Sequence, residues 1–425
     1  MRLLLRFRSS SAAWGALFAI PLTSFYFFVT VLPVVDDGLH YAPRAVSLSL
    51  TPMYAFAYAM ASCLGAWESG RLKEYGVWDL APARSRYRVA AEVLLPVVCA
   101  ASLTLVLPAA LALVAAGAAP TAGSLGPLLM AVVLCGAHAV IGFGAGQRVP
   151  RFIAAPLLAV AVWILVAFSH TATAYWPRHV AGQFPGDLMF GEEATWLSLA
   201  PPLLFTGGIG LAVATLWLPV RRGLLRLVPA AALAVVPAAG ALHLVGDWDH
   251  NPPLATGRGA MRCAGTAPEV CMPRERSEHL EAVRRAAVSV LADFAAAGVH
   301  RSPQRITDSI NHGRFAGHSR PGEWQLPLSA AAATGQARAL LTDAAVGLGC
   351  PRPSPVLATA LSSWAARTTG EESALRHRQA EERDPDARGR RKAAEALLRR
   401  VYREPAAEQA RWFEESRRQA CHGGG

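Results

Sequence analysis

Long runs of Leu, Val, Ala and Phe alternate with short polar stretches over residues 1–247, and the pattern then changes character. A bilayer core of about 30 Å takes about 20 apolar residues as a helix. Seven segments meet or approach that length: 12–35, 49–67, 89–118, 125–147, 152–170, 195–219 and 225–246. Backbone groups in lipid must find partners within their own segment, so runs of this kind predict helices. The third is long enough to tilt, or to break near Pro108.

From Asp247 the stretch "DWDHNPPLATGRGAMRC" mixes Pro, Gly and polar residues without a period, which predicts a linker. Apolar residues at 280, 283, 287, 290, 291 and 294 then recur at helical spacing. They predict an amphipathic helix over 277–297, stopped by Gly298. Residues 329–347 and 354–367 read as two Ala-rich buried helices, and 303–327 as loop. The charged region 371–420 reads as helices with one buried stripe, interrupted at Asp384-Pro385-Asp386. The expected fold class is therefore all-α. A six-span membrane domain (1–224) and a seventh span (225–247) lead through a linker with a Cys pair (248–275) to a mainly helical extracytoplasmic domain (276–425).

Charge sets the orientation. With the N-terminus inside, the inner segments hold thirteen basic residues: Arg2, Arg6, Arg8, Arg71, Lys73, Arg84, Arg86, Arg88, Arg148, Arg151, Arg221, Arg222 and Arg226. The outer loops hold two, Arg44 and Arg178. The positive-inside rule then predicts a multi-pass plasma-membrane protein with a cytoplasmic N-terminus and an extracellular C-terminal domain. The first run is too long for a cleaved signal peptide and lacks a small-x-small site before Asp36, so an uncleaved helix is expected. The net charge of +11 does not point to nucleic acid, because the excess lies partly in short loops and the tail mixes both signs.

Cysteine agrees with this sidedness. Cys63, Cys99 and Cys135 fall in apolar runs, whereas Cys263, Cys271, Cys350 and Cys421 fall in the expected external region. Four cysteines in an oxidising compartment suggest disulfides, with three connectivities possible. Cys263–Cys271 is the first choice for one pair, since the intervening "AGTAPEV" is short and contains Pro268, which leaves Cys350 with Cys421. No CxxC or HxxxH accompanies them, so no metal site is expected there. Asp247, Asp249 and His250 lack further ligands.

Few polar residues lie within the apolar runs. Glu92 stands near the start of the third, four residues after Arg88, and His138 midway along the fourth. An ionisable residue in a span is a functional candidate, and these two form the possible intramembrane polar site. The favoured reading for His138 is a hydrogen bond to a carbonyl of a neighbouring helix. With no chain of intramembrane acids, ion-coupled transport is not expected. The glycines of "GFGAGQR" (Gly142, Gly144 and Gly146) suit close helix packing better than phosphate binding. In the outer loop 171–194, Tyr175 and Trp176 suit an interface belt, while Asp187, Glu192 and Glu193 read as solvated. No GxxxxGK[ST], Ser-His-Asp, HExxH or paired-carboxylate pattern stands out, so no enzyme and no bound cofactor are expected of this chain. Arg284, Arg285, Arg390 and Arg391 are residues from which an anion site can be built.

One short stretch departs from all this. In "WESGRLKEYGVWDLAPARSRYRV", residues 67–89, ten of 23 residues are Trp, Glu, Lys, Asp or Arg. Lipid phosphate accounts for Arg84, Arg86 and Arg88 but not for Glu68, Glu74 and Asp79, because acids gain nothing against an anionic leaflet. The expected layout is a short helix continuing the second span, a turn at Ala81-Pro82, and a basic stretch leading into the third. Leu72, Tyr75 and Trp78 would make apolar contacts, with Arg71 and Glu74 exposed. Mixed charge beside aromatics fits a protein partner.

A span ending in Glu-x-Gly-Arg-Leu, a short segment to a Pro, and Arg-x-Arg opening the next span resembles the membrane (permease) subunit of type-2 ABC exporters. The similarity covers about residues 1–224. It departs from the family in "KEYGVWDLAPAR", where a Leu-Leu-x-x-Pro run is usual, and in having a seventh span and a long tail. The tail opening, "CAGTAPEVCMPRERSEHLEAVRRAA", resembles external domains on permease-like proteins of actinobacteria. The resemblance implies that Glu68, Arg71, Leu72 and Glu74 meet a separate ATP-hydrolysing subunit, with Lys73, Trp78 and Arg84 in the same coupling segment. Pro82 and Arg86 would set how the chain enters the third span. ATP and Mg would then sit on the partner subunit, and the permease would work as a homodimer or a heterodimer in lipid. A different reading is a membrane-anchored sensor or interaction protein whose external domain binds an envelope ligand.

Overall fold

The computed structural model describes residues 10–35, 38–80, 85–184, 186–217, 224–315, 319–350 and 352–421. The chain is mostly helical and divides into two compact units, Met1–Arg258 and Gly259–Gly425.

The first unit contains α1 (Ala12–Val35), α2 (Ala42–Leu50), α3 (Tyr54–Glu74), α4 (Arg86–Ala115), α5 (Ala122–Arg148), α6 (Arg151–Ala167), the short α7 (Trp176–Val180), α8 (Trp196–Thr215) and α9 (Leu224–Val245). A two-stranded ribbon joins β1 (Glu193–Ala194) to β2 (Leu254–Ala255). Among the described residues, five helices are long and apolar enough to cross a membrane: α1, α4, α5, α8 and α9. That length and composition mark a membrane protein, with α6 a shorter apolar helix beside them.

Local chemistry starts several of these helices. Ser85 accepts from the Arg88 amide at the head of α4, Thr121 and Ser124 form a reciprocal capping box on α5, and Thr195 accepts from Ser198 on α8. The expected second span, 49–67, is corrected. A turn at Thr51–Met53 separates α2 from α3, and Pro52, which lacks an amide hydrogen, stands in it. α1 contains a π-helical turn at Phe27–Val31.

α3 is the centre of the bundle and packs on α5, α6 and α4. Its closest approach is to α5. A Cβ at Gly142 would collide with the Ser62 carbonyl oxygen, one at Gly146 with that of Ala66, and one at Gly65 with that of Ala139. Gly144 instead faces Val213 of α8. Small residues let two helix backbones meet, and this seam accounts for the glycine trio as packing.

The second unit is not purely helical, which corrects the expected linker and loop. Residues 248–275 and 303–327 contribute β3 (Met261–Ala264), β4 (Glu269–Pro273), β5 (Arg305–Asp308) and β6 (Glu323–Leu326), a sheet in the order β3-β4-β5-β6. β3 and β4 are antiparallel with Cys263 opposite Cys271, and the other two pairings are parallel. Around the sheet stand α10 (Leu280–Ala296), α11 (Leu328–Ala333), α12 (Ala337–Val346), α13 (Pro355–Thr369), α14 (Glu372–Glu381), α15 (Ala387–Val401) and α16 (Ala406–Gln419). Val270, Met272, Ile306 and Trp324 of the sheet share one core with Val290, Leu341 and Leu398. Phe294, Trp364 and Phe413 meet in it with ring centroids 4.6–6.1 Å apart. Buried Asp308 accepts from the amides of Ile310 and Ser329 and from the Ser329 hydroxyl, which ties the start of the short 3-10 turn Ser309–His312 to the start of α11. Both disulfides form as expected, Cys263–Cys271 and Cys350–Cys421.

Candidate functional site: the α3 end of the bundle

α3 continues beyond the apolar run to Glu74, as the sequence suggests, and a turn through Gly76 follows with φ +60°. Pro82 and Arg84 lie outside the described residues. The segment is bound into its own unit at several points. Lys73 Nζ donates to the Gln147 carbonyl at 3.2 Å, at the end of α5 where helix carbonyls lack intrahelical partners. Glu74 pairs with Arg151 at 2.8 Å. The Arg151 guanidinium also stacks over Trp67 and Phe152, at 4.8 and 4.9 Å from the ring centres. Gly70 leaves room for the Arg151 side chain to pass.

The aromatic residues extend this network to two more helices. Trp78 meets Phe143 edge-on at 6.4 Å, Phe143 meets Trp217 at 5.1 Å, and Trp217 meets Tyr87 at 6.1 Å. The Tyr87 hydroxyl donates to the Ala214 carbonyl at the end of α8. Arg86 stacks over Trp78 at 5.9 Å. A cleft of about 240 Å³ opens among Lys73, Trp78, Arg86, Gln147, Leu216 and Trp217. On the rim, Tyr75 and Leu80 are 72% and 74% exposed, beside exposed Lys73, Glu74 and Asp79.

Glu68 departs from its expected place. It is fully buried and accepts from both the amide and the hydroxyl of Ser11, at 2.6 and 2.7 Å. Arg71 pairs with it at 2.9 Å and is only 30% exposed. In this conformation Glu68 presents no surface to a partner; it ties the start of α1 to the end of α3. Leu72 and Trp78 are half-buried against the core, while Tyr75 points outward. Trp217 and Tyr87 are the members that sequence reasoning missed. Their signal was two aromatic residues at the inner ends of predicted spans.

Of the intramembrane candidates, Glu92 pairs with Arg88 at 3.4 Å, as its spacing allows. His138 is buried, with Nδ1 3.2 Å from the Ser62 hydroxyl and its ring stacked on Tyr58 at 4.9 Å. Its partner is thus a hydroxyl across the glycine seam, and Nε2 has no hydrogen-bond partner among the described residues. The Tyr58 hydroxyl donates to the Gly182 carbonyl, which holds the 171–194 loop against the bundle.

Much of residues 178–192 of that loop is packed, while Asp187 is exposed as expected. Phe184, Leu188 and Phe190 are buried, Glu192 is fully buried, and Asp187 accepts from Thr51. Tyr41 donates to the Glu192 carbonyl, and its phenol is pushed above the usual range by burial, then by Glu193 and Glu192. Tyr175 and Trp176 are 44% exposed, as an interface belt allows.

In the second unit, Cys263, Glu269 and Cys271 cluster closely enough for a metal, but the two sulfurs are bonded to each other and offer no thiolate. Three of the four arginines expected to be able to form an anion site stand in ion pairs, Arg284 with Glu281, Arg390 with Glu382 and Asp384, and Arg391 with Glu382, while Arg285 makes no ion pair among the described residues. A family model described as "Domain of unknown function (DUF7224)" matches residues 270–421, within the second unit. Neither the curated proteins nor the solved structures contain a match to the chain.

Proposed function

We propose that the chain is the permease subunit of an ATP-driven, ABC-type transporter, energised by a separate ATPase that docks on the α3 end of the bundle. One observation carries the reading: Lys73, Glu74 and Trp78 join that end to α5 and α6 and, through Phe143 and Trp217, to the end of α8. A force applied there reaches several apolar helices at once. Exposed Tyr75 and Leu80 supply apolar anchors between charges of both signs, the composition of a protein contact rather than of a lipid-facing surface. ATP and Mg belong to the partner, and the working unit is a pair of permeases.

Sidedness belongs to the same proposal. Arg71, Lys73, Arg86, Arg88, Arg148 and Arg151 lie at the ends of α3, α4, α5 and α6, which supports a cytoplasmic position by the positive-inside rule. Seven crossings then place the second unit outside the cell. Its two disulfides favour an oxidising compartment. They also support the other reading, in which that unit is a ligand-binding module on a membrane anchor.

The test is recovery of an ATP-hydrolysing subunit with the full chain in mild detergent. Tyr75→Ala combined with Leu80→Glu should release it while leaving the bundle folded, since both side chains are exposed. Retention of the ATPase by that folded variant rules out docking here. Deleting 248–425 separates the two readings, because transport should survive only in the first.

A further inference from the structure

The second unit holds a basic cleft that none of the ion pairs described above fills. Its volume is about 320 Å³, and His300, Arg301, Arg320 and Arg417 line it together with Trp324 and Leu348. Four separate segments bring these residues together. His300 and Arg301 follow the stop of α10 at Gly298, whose φ is +82°. Arg320 precedes β6, which carries Trp324, while Leu348 follows α12 and Arg417 rides on α16.

The arginines are held in place by groups behind the cleft. Arg301 donates from Nε to the Ala345 carbonyl and from Nη1 to Glu414 at 2.7 Å, and its guanidinium stands 5.7 Å from the Phe413 ring centre. Arg417 donates to the Gly347 carbonyl and pairs with the same Glu414. Arg301 Nη2 is buried with no protein partner, and Arg320 makes no ion pair among the described residues. Glu414 thus serves two guanidinium groups, no acid lines the cleft among the described residues, and the three arginines with Glu414 leave an excess of two positive charges there.

We infer that this cleft is a binding site for a phosphate dianion, either free or as the head of a monoester. Arginine forks match phosphate oxygens in shape and charge. The excess of two charges matches a dianion better than a single carboxylate. The Trp324 and Leu348 side gives room for the ester's carbon substituent. The reading does not depend on the transporter proposal, since every residue belongs to the second unit.

Titration calorimetry on the full chain in neutral detergent tests it, with glycerol 3-phosphate, inorganic phosphate and acetate as probes. Saturable binding of a phosphate probe with a Kd of about 1 mM or tighter is expected, with acetate at least about tenfold weaker. Arg320→Glu should weaken it by about tenfold or more. That side chain is exposed and makes no ion pair among the described residues, so the variant should fold; Arg417→Gln is the second variant, its folding checked by circular dichroism. A tenfold preference for glycerol 3-phosphate over inorganic phosphate identifies an ester such as a lipid headgroup, and equal binding identifies free phosphate. The inference is overturned by absence of saturation at about 10 mM of either phosphate probe, by acetate binding as tightly, or by unchanged affinity in both folded variants.

Discussion

Glu68 at the end of α3 receives two hydrogen bonds from Ser11 at the start of α1, although 57 residues separate them. The contact fastens the first helix to the segment proposed to meet the ATPase. Glu68 also pairs with Arg71 at 2.9 Å, so one buried carboxylate holds both the Ser11 donors and a guanidinium charge. Glu68→Ala should destabilise the bundle by about 1–3 kcal/mol for the donors left without a partner. Thermal unfolding in detergent reads this directly, and Glu68→Gln, which keeps an acceptor, should recover part of the loss.

The α3–α5 seam predicts a steeper effect. Gly142→Val or Gly146→Val places carbon atoms against the Ser62 or Ala66 carbonyl, where backbone has to move. Each should cost about 1–3 kcal/mol or more and reduce the yield of monodisperse protein. Gly136, whose Cβ position is open, should accept alanine with little change in the same assay.

The two disulfides should differ in weight. Cys350–Cys421 spans 71 residues and Cys263–Cys271 only eight. By loop entropy the first contributes about 4 kcal/mol and the second about 2.5 kcal/mol. Denaturant unfolding of Cys350→Ala/Cys421→Ala against Cys263→Ala/Cys271→Ala, followed by a probe in the second unit, should rank them in that order.

Acid should loosen the packed loop around α7. His179 is held below its ordinary pKa, first by burial and then by Arg178 and His250, against the raising effect of its bond to the Asp249 carbonyl. The unfolded chain therefore takes up a proton below about pH 6.5 that the folded loop resists, and stability falls as pH drops through that value. Tm measured between pH 7.5 and 5 should decline less in His179→Gln than in the native chain.

The apolar runs made most of the helices legible, because an uninterrupted hydrophobic segment admits few other structures. Cys263 and Cys271 were legible as a pair because so few residues lie between them, and Glu92 because Arg88 precedes it by one helical turn. The strands of the second unit were not. β3, β5 and β6 have four residues each, and the partners of β5 and β6 are remote, so neither length nor periodicity marks them. The Pro52 break was hidden inside an apolar run. Glu68 is expected from the resemblance to meet a partner subunit, and its burial rests on Ser11, 57 residues away, together with Arg71. The basic cleft escaped for a similar reason: Arg301, Arg320 and Arg417 lie far apart in the chain, whereas the adjacent arginines at 284–285 and 390–391 drew notice, and Arg284, Arg390 and Arg391 pair with local acids.

The most direct measurement places a photo-crosslinking amino acid at Leu80 in the full chain and irradiates intact cells. The account predicts one dominant product joining this chain to a cytoplasmic ATP-hydrolysing polypeptide, lost when Tyr75 is also changed to Ala. Products with lipid or with extracellular proteins alone, in a chain still folded and inserted, would contradict it.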